Sequence, residues 1–214
     1  MRIYDISEPI EPATAAFPGD TPFSQRWVLR QENGGSCNVS TITMSVHVGT
    51  HTDAPLHFDL AGPDIASVEL RRYLGRCRVV DVQGTGSPAL IPAAALTPAL
   101  LKGAERILFR TRPQHDHRTF DAEFTALGPD AARALIAAGI VLVGIDTPSM
   151  DHADSKELDG HHVLYEGGVA ILENIDLRFV PAGDYELIAL PLRIVNGDSS
   201  PVRAILRELP AAPC

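Results

Sequence analysis

Val39-Ser-Thr-Ile-Thr-Met-Ser-Val-His47-Val-Gly49-Thr-His51-Thr-Asp53-Ala-Pro55-Leu-His57 is the stretch on which the reading of this chain turns. Its first half alternates. Ile42, Met44, Val46 and Val48 fall on one side and Thr41, Thr43, Ser45 and His47 on the other, a period of two that predicts a strand from Val39 to Val48. In the second half, His47 and His51 are four apart, a spacing that on a helix shares one face. Helix is the weaker reading, because Val46, Val48, Thr50 and Thr52 are β-branched, Gly49 interrupts, and Pro55 breaks an interior turn. On a straight strand those two residues are about 13 Å apart, near or beyond the span over which two imidazoles share one ion through bonds of about 2 Å. Gly49 is the natural place for a kink or bulge that shortens the distance. Positions 47, 51, 53 and 57 share parity, so an extended chain aims them to one side. Pro55 then ends the ladder and carries His57 into a loop.

Three of the chain's eight histidines and one carboxylate lie within these last eleven residues. Imidazole nitrogen and carboxylate oxygen suit zinc and its first-row neighbours, and a metal held by His and Asp is more often catalytic than structural. Structural zinc sites are rich in Cys, whereas Cys37, Cys77 and Cys214 are remote from one another and from this run. An isolated histidine ordinarily binds nothing. That is the reading taken for His115, His117 and His152, which stand in polar, proline- or aspartate-rich stretches and read as solvated loop residues. His161 and His162 lie shortly before Glu173.

The chain has 214 residues, 45% of them hydrophobic and 21% charged, as in an ordinary globular domain with a substantial core. A net charge of −9 and the lack of any basic run argue against a nucleic-acid partner. Met-Arg-Ile-Tyr-Asp-Ile lacks the apolar core of a signal peptide, and no stretch approaches membrane-spanning length. Three scattered cysteines make no disulfide framework. The expectation is a single domain over 1–214, cytoplasmic, with reduced thiols and no membrane contact.

Around the decisive stretch, Arg2–Ile6 reads as a strand and Ser67–Leu74 as a helix before a strand Arg78–Val82. A helix around Ala93–Leu101 precedes a strand Ile107–Arg110. Pro129 opens a helix and Gly139 stops it ahead of the strand Ile140–Ile145. Tyr185–Leu190 and Val202–Leu209 read as strands. These elements predict a mixed α/β domain whose strand order is not readable.

The run His47-x-Gly-Thr-His51-x-Asp53-x-Pro55-x-His57 resembles the signature of the cyclase-like metal-dependent hydrolases. The likeness extends to Phe17-Pro-Gly-Asp-Thr-Pro22, Glu173-Asn174 and Ser200-Pro-Val-Arg203. Gly144-Ile-Asp-Thr-Pro-Ser-Met-Asp151, Asp154-Ser-Lys156 and Leu158-Asp-Gly-His-His162 resemble the formamidase branch in particular. The resemblance implies a fold of the swivelling β/β/α type: one α/β domain with a central barrel-like mixed sheet flanked by helices. It implies two zinc ions per chain, with manganese or another divalent metal as the substitute. His47 and His51 would ligate one ion and His161 the other, with Asp53 and Glu173 bridging. His57 would be the general acid/base, not a ligand. Phe17 stands where formamidases often carry tryptophan, and it would keep an aromatic face for the substrate while losing the indole N–H. A homodimer is implied as well, with the N-terminal loop reaching toward a neighbour's site.

The chemistry implied is hydrolysis of N-formyl-L-kynurenine to L-kynurenine and formate in tryptophan breakdown. Paired ions lower the pKa of a shared water and polarise the carbonyl, and His57 protonates the departing aniline nitrogen. Two alternatives stand beside it: a hydrolase of the same family acting on a cyclic amide such as isatin, and a non-catalytic metal-binding protein. The second gives His57 nothing to do.

Overall fold

The computed structural model describes residues 1–112 and 114–210, so Cys214 lies outside the described part. The strands are β1 (Ile3–Asp5), β2 (Ser24–Leu29), β3 (Val39–Thr43), β4 (His51–Asp53), β5 (Leu74–Asp81), β6 (Arg106–Arg110), β7 (Leu142–Ile145), β8 (Ala170–Glu173), β9 (Gly183–Ile188), β10 (Ser199–Pro201) and β11 (Ile205–Glu208). The helices are α1 (Pro98–Leu101), α2 (Pro129–Ala137) and α3 (Asp159–Glu166). Nine strands make one sheet in the order β1-β11-β9-β5-β6-β7-β8-β4-β10, and β2 and β3 pair apart from it as a hairpin.

The parallel centre, β5 to β8, is built from runs apolar on both faces, as strands covered on both sides require. Val79, Leu108, Leu142 and Leu172 point into one core with Tyr4, Tyr185 and Leu206. Val80, Ile107, Val143 and Ile171 point into a second core under Leu101 of α1, Leu135 of α2 and Leu164 of α3. Each helix crosses between parallel neighbours, as parallel pairing demands.

The sheet cannot be flat. β10 is the last strand in the order and β11 the second, so a flat sheet would put them about 34 Å apart at roughly 4.8 Å per strand. Only Val202, Arg203 and Ala204 separate β10 from β11, a connection that reaches about 14 Å at most. The sheet therefore curls into a half-barrel. Ile6 N–H donates to the Ala204 carbonyl (3.0 Å) and Asp176 N–H to the Ile6 carbonyl (2.9 Å) where its two ends approach.

Several elements depart from the sequence reading. The strand expected to run to Val48 stops at Thr43, where Ser45 turns the chain by donating its N–H to the Thr21 carbonyl and its hydroxyl to Asp20. The alternation of Val39–Thr43 buries no face; Ile42 is 55% exposed on the hairpin. The helix expected over Ser67–Leu74 is a 3-10 turn, Leu70–Tyr73, because Leu74 already pairs with Ile188 of β9. The helix expected over Ala93–Leu101 breaks at Pro98, whose ring holds Thr97 extended; the Thr97 hydroxyl then caps the short α1 by accepting the Leu100 N–H. The α2 expectation meets the structure closely, with Gly139 in the left-handed region just past its end. No helix among the described residues is long and apolar enough to cross a membrane.

Candidate active site

β4 carries His51 and Asp53 two residues apart, hence on one face, while Thr52 between them turns away and hydrogen-bonds the Ile171 carbonyl. In the antiparallel pairing of β4 with β8, His51 is directly opposite Glu173, so these side chains share that face. Gly49, with φ +71°, turns the chain so that His47 approaches from the loop before β4. His161 comes from α3, and the 3-10 turn Pro55–His57 brings His57 alongside. The site lies at the carboxyl ends of the parallel strands, where ligands of open α/β sheets bind.

The carboxylates divide their oxygens between two groups of imidazoles. Asp53 Oδ1 is 3.2 Å from His47 Nδ1 and 3.6 Å from His51 Nε2, and Glu173 Oε2 is 3.2 Å from His51 Nε2. On the other side, His161 Nε2 is 3.5 Å from Asp53 Oδ2 and 3.4 Å from Glu173 Oε1. Donor atoms around one tetrahedral ion with bonds of about 2 Å are about 3.3 Å apart, which is the spacing found here. His51 Nε2 and both oxygens of Asp53 are buried with no hydrogen-bond partner among the described residues. Orphaned buried acceptors of this kind are costly unless a cation satisfies them, so the donor set fits a divalent metal. His57 offers a further nitrogen near His47 and Asp53, with its ring centroid 4.3 Å from that of His47.

A second layer orients the donors. His51 Nδ1–H donates to the Gly49 carbonyl (2.9 Å) and His161 Nδ1–H to Asp151 Oδ2 (2.6 Å), leaving each Nε2 lone pair to face the carboxylates. His47 Nε2 meets Asp198 Oδ2 at 2.9 Å, and Met150 N–H donates to Glu173 Oε1 at 2.6 Å. Burial disfavours the charged forms of His47, Asp53, His161 and Glu173, yet their partners prevail. Asp53 is held well below the usual carboxylate range by His161, His47 and His51, and His47 is raised to about 9 by Asp53 and Asp198. A metal that takes the His47 nitrogen must displace its proton, so binding there releases one. His57 differs: burial outweighs its neighbours and lowers its pKa.

His47, His51, His57, His161, Glu173 and Asp198 line a cavity of about 360 Å³, within the range of small-molecule sites. Phe17 packs edge-on against Phe120 on its wall, with ring centroids 5.1 Å apart. The structure thus places His47, His51, His57, His161, Glu173 and Phe17 on one cavity, with the buried Asp53 within 3.6 Å of the His47, His51 and His161 nitrogens. It corrects the reading of His115 and His117 as solvated: both side chains are largely enclosed, His115 against Glu8 and His117 against Glu11. His152, also assigned to solvent, is half-buried on the cavity wall near Phe124. Sequence reasoning gave no role to Asp151 or Asp198. Asp151 had a signal, since it ends a quoted motif ten residues before His161. Asp198, in the turn Asn196-Gly-Asp, had only its proximity to Ser200-Pro-Val-Arg203.

The family model described as putative cyclase matches residues 4–152. A solved structure of a potential metal-dependent hydrolase with cyclase activity is 30% identical, with 96% of this chain and 96% of that chain covered and a TM-score of 0.80. A predicted metal-dependent hydrolase from Bacillus stearothermophilus is also 30% identical, over 96% of this chain and 97% of that chain, with a TM-score of 0.78. Isatin hydrolase A from Labrenzia aggregata, bound to benzyl benzoate, shares the fold at 24% identity, over 96% and 93% of the two chains, with a TM-score of 0.74.

Proposed function

The chain belongs to the putative cyclase family, and from that premise we propose that it is a zinc-dependent arylformamidase, hydrolysing N-formyl-L-kynurenine to L-kynurenine and formate in tryptophan breakdown. The observation that carries this reading is one cavity holding a cation-ready donor cluster, a histidine beside it and an aromatic wall. The split of the Asp53 and Glu173 oxygens between His51 and His161 supports two ions, with His47 and His51 serving one, His161 the other, and the carboxylates shared. Zinc bound there supplies Lewis acidity to the formyl carbonyl and to water.

The chain's own residues do the rest. His57 stands with its side chain 33% exposed to the cavity mouth, its Nδ1 is 3.7 Å from Asp198 Oδ2, and its lowered pKa keeps a nitrogen lone pair free near neutral pH. It takes a proton from the attacking water and returns one to the aniline nitrogen as the C–N bond breaks. Phe17 and Phe120 pack the substrate's ring. The proposal includes a cytoplasmic homodimer. The hairpin of β2 and β3 supports the dimer, since it leaves Trp27 42% and Val28 57% exposed with Ile42 beside them, an apolar surface suited to a second copy.

Purified, metal-loaded protein assayed by absorbance on N-formylkynurenine beside isatin tests the reading. Hydrolysis of the formamide with kcat/KM well above that for isatin supports it. Preference for isatin, or no turnover of either, refutes it.

A further inference from the structure

Beside the donor cluster, the cavity carries charge that the hydrolytic chemistry does not use. Glu8 N–H donates to the Thr50 hydroxyl (2.8 Å), and that hydroxyl donates to the Asn174 carbonyl (2.5 Å). Glu8 is thereby tied to the residues adjoining His51 and Glu173. Its side chain is 4% exposed, and one oxygen takes the Nε2–H of His115, whose own side chain is 7% exposed. The other oxygen, Oε2, has no hydrogen-bond partner among the described residues; Arg178 Nη2 and His117 Nδ1 stop at 3.8 and 3.9 Å. Arg112 is fixed by its backbone N–H on Asp146 Oδ2 (2.8 Å) and by its Nη2 on the Asp146 carbonyl, while its buried Nε–H has no partner among the described residues. His115 Nδ1 is likewise without a hydrogen-bond partner among the described residues, and Glu8, Arg112 and His115 all line the cavity.

Buried polar atoms without partners mark a place where something else completes them. A metal does not fit: Asp176 could join Glu8 and His115 as donors, but the Arg178 guanidinium already spans both Asp176 oxygens at 2.8 Å. The complement must bring a cationic N–H donor for Glu8 Oε2 and an anionic oxygen for Arg112 Nε–H. An α-ammonium and an α-carboxylate on one carbon bring both.

We propose that Glu8, Arg112 and His115 form a subsite for the α-amino-acid head of an aryl-amide substrate, placing that head beside the donor cluster. This rests on the arylformamidase reading and deepens it, because isatin has no such head to bind.

Calorimetric titration of the metal-loaded protein with L-kynurenine and with 2-aminoacetophenone tests it, since the second probe keeps the ring and ketone and lacks the head. The wild-type protein should prefer L-kynurenine by about 10- to 100-fold, the range for hydrogen bonds to charged groups. Glu8→Gln, and separately Arg112→Lys, should collapse that preference and lower the ratio of kcat/KM for N-formylkynurenine over formanilide by a like factor. Equal wild-type affinity for the two probes overturns the subsite without any variant. So does a folded Glu8→Gln protein that melts lower but keeps its preference, which makes Glu8 a structural tie. Discrimination between the probes without hydrolysis of N-formylkynurenine upholds the subsite and sinks the arylformamidase reading alone.

Discussion

Replacing Asp151 by Asn should weaken both the fold and the metal cluster. Three N–H groups converge on this carboxylate: Gly160 N on Oδ1 at 2.8 Å, and His161 N and Nδ1 on Oδ2 at 3.0 and 2.6 Å. Gly160 permits the approach, since a Cβ there would lie 2.9 Å from Oδ1. Asparagine offers one oxygen. Whichever way its amide turns, an NH2 group confronts an N–H donor, and at least one charge-assisted hydrogen bond is lost with a buried donor left open. That costs about 1.5–3 kcal/mol, or about 3–12 °C in the melting temperature of metal-free protein of this size. His161 also loses the anion that fixes its ring, which lowers metal affinity about 10- to 100-fold. Thermal melts of metal-free protein and chelator competition on loaded protein measure the two effects. Burial opposes the Asp151 charge, but His161 and the backbone donors pull its pKa below 3.8. Its stabilisation is therefore complete above that value and lost as pH falls through the folded pKa, so the gap between wild type and variant should close below about pH 4. A variant that melts with the wild type at pH 7 and holds metal as tightly would refute the reasoning.

His57→Ala should keep the fold and the bound metal while losing on the order of a hundredfold or more in turnover; loss of metal instead makes His57 a ligand, and unchanged turnover removes it from the mechanism. Phe17→Ala should raise KM for N-formylkynurenine more than it lowers kcat, because the ring contact is made alike in ground and transition states, whereas a lower melting temperature with KM unchanged makes Phe17 a loop anchor. Burial pushes the Cys77 thiol up to about 12 from an ordinary 9, so alkylation at pH 8 followed by peptide mass mapping should label the exposed Cys37 and spare Cys77. Between those two pH values the unfolded chain sheds the Cys77 proton first, and this group's contribution to stability falls by about 1.4 kcal/mol per pH unit; rapid labelling of Cys77 in folded protein would contradict its burial.

The donor cluster was legible because its residues are close in sequence and their side-chain chemistry admits few other uses. His51 and Asp53 alternate on β4, and Gly49 supplies the turn that brings His47 in. The contribution of β8 was less legible: Ala170–Glu173 is three apolar residues closed by a carboxylate, too short for a period to distinguish strand from helix. α3 passed unread because its first turn, Asp-Gly-His-His, looks like a loop, and its start is fixed from outside by Asp151. The hairpin misled in another way. Its alternation is real, but the face it defines meets no core among the described residues. His115 shows the limit of local reading. Its neighbours in sequence are polar, and its burial comes from Glu8, 107 residues away, a partner that only the curled sheet supplies.

The most direct test of the account is the metal count at which activity appears. Metal-stripped protein is titrated with zinc, with bound metal measured by elemental analysis and turnover of N-formylkynurenine followed at each step. The split carboxylates predict activity that rises to a plateau at about two ions per chain, and Asp53→Ala or Glu173→Ala should empty both positions where His161→Ala empties mainly one. Full activity with one ion or fewer per chain would contradict the shared-carboxylate cluster, and full activity with none would contradict metal-dependent hydrolysis itself.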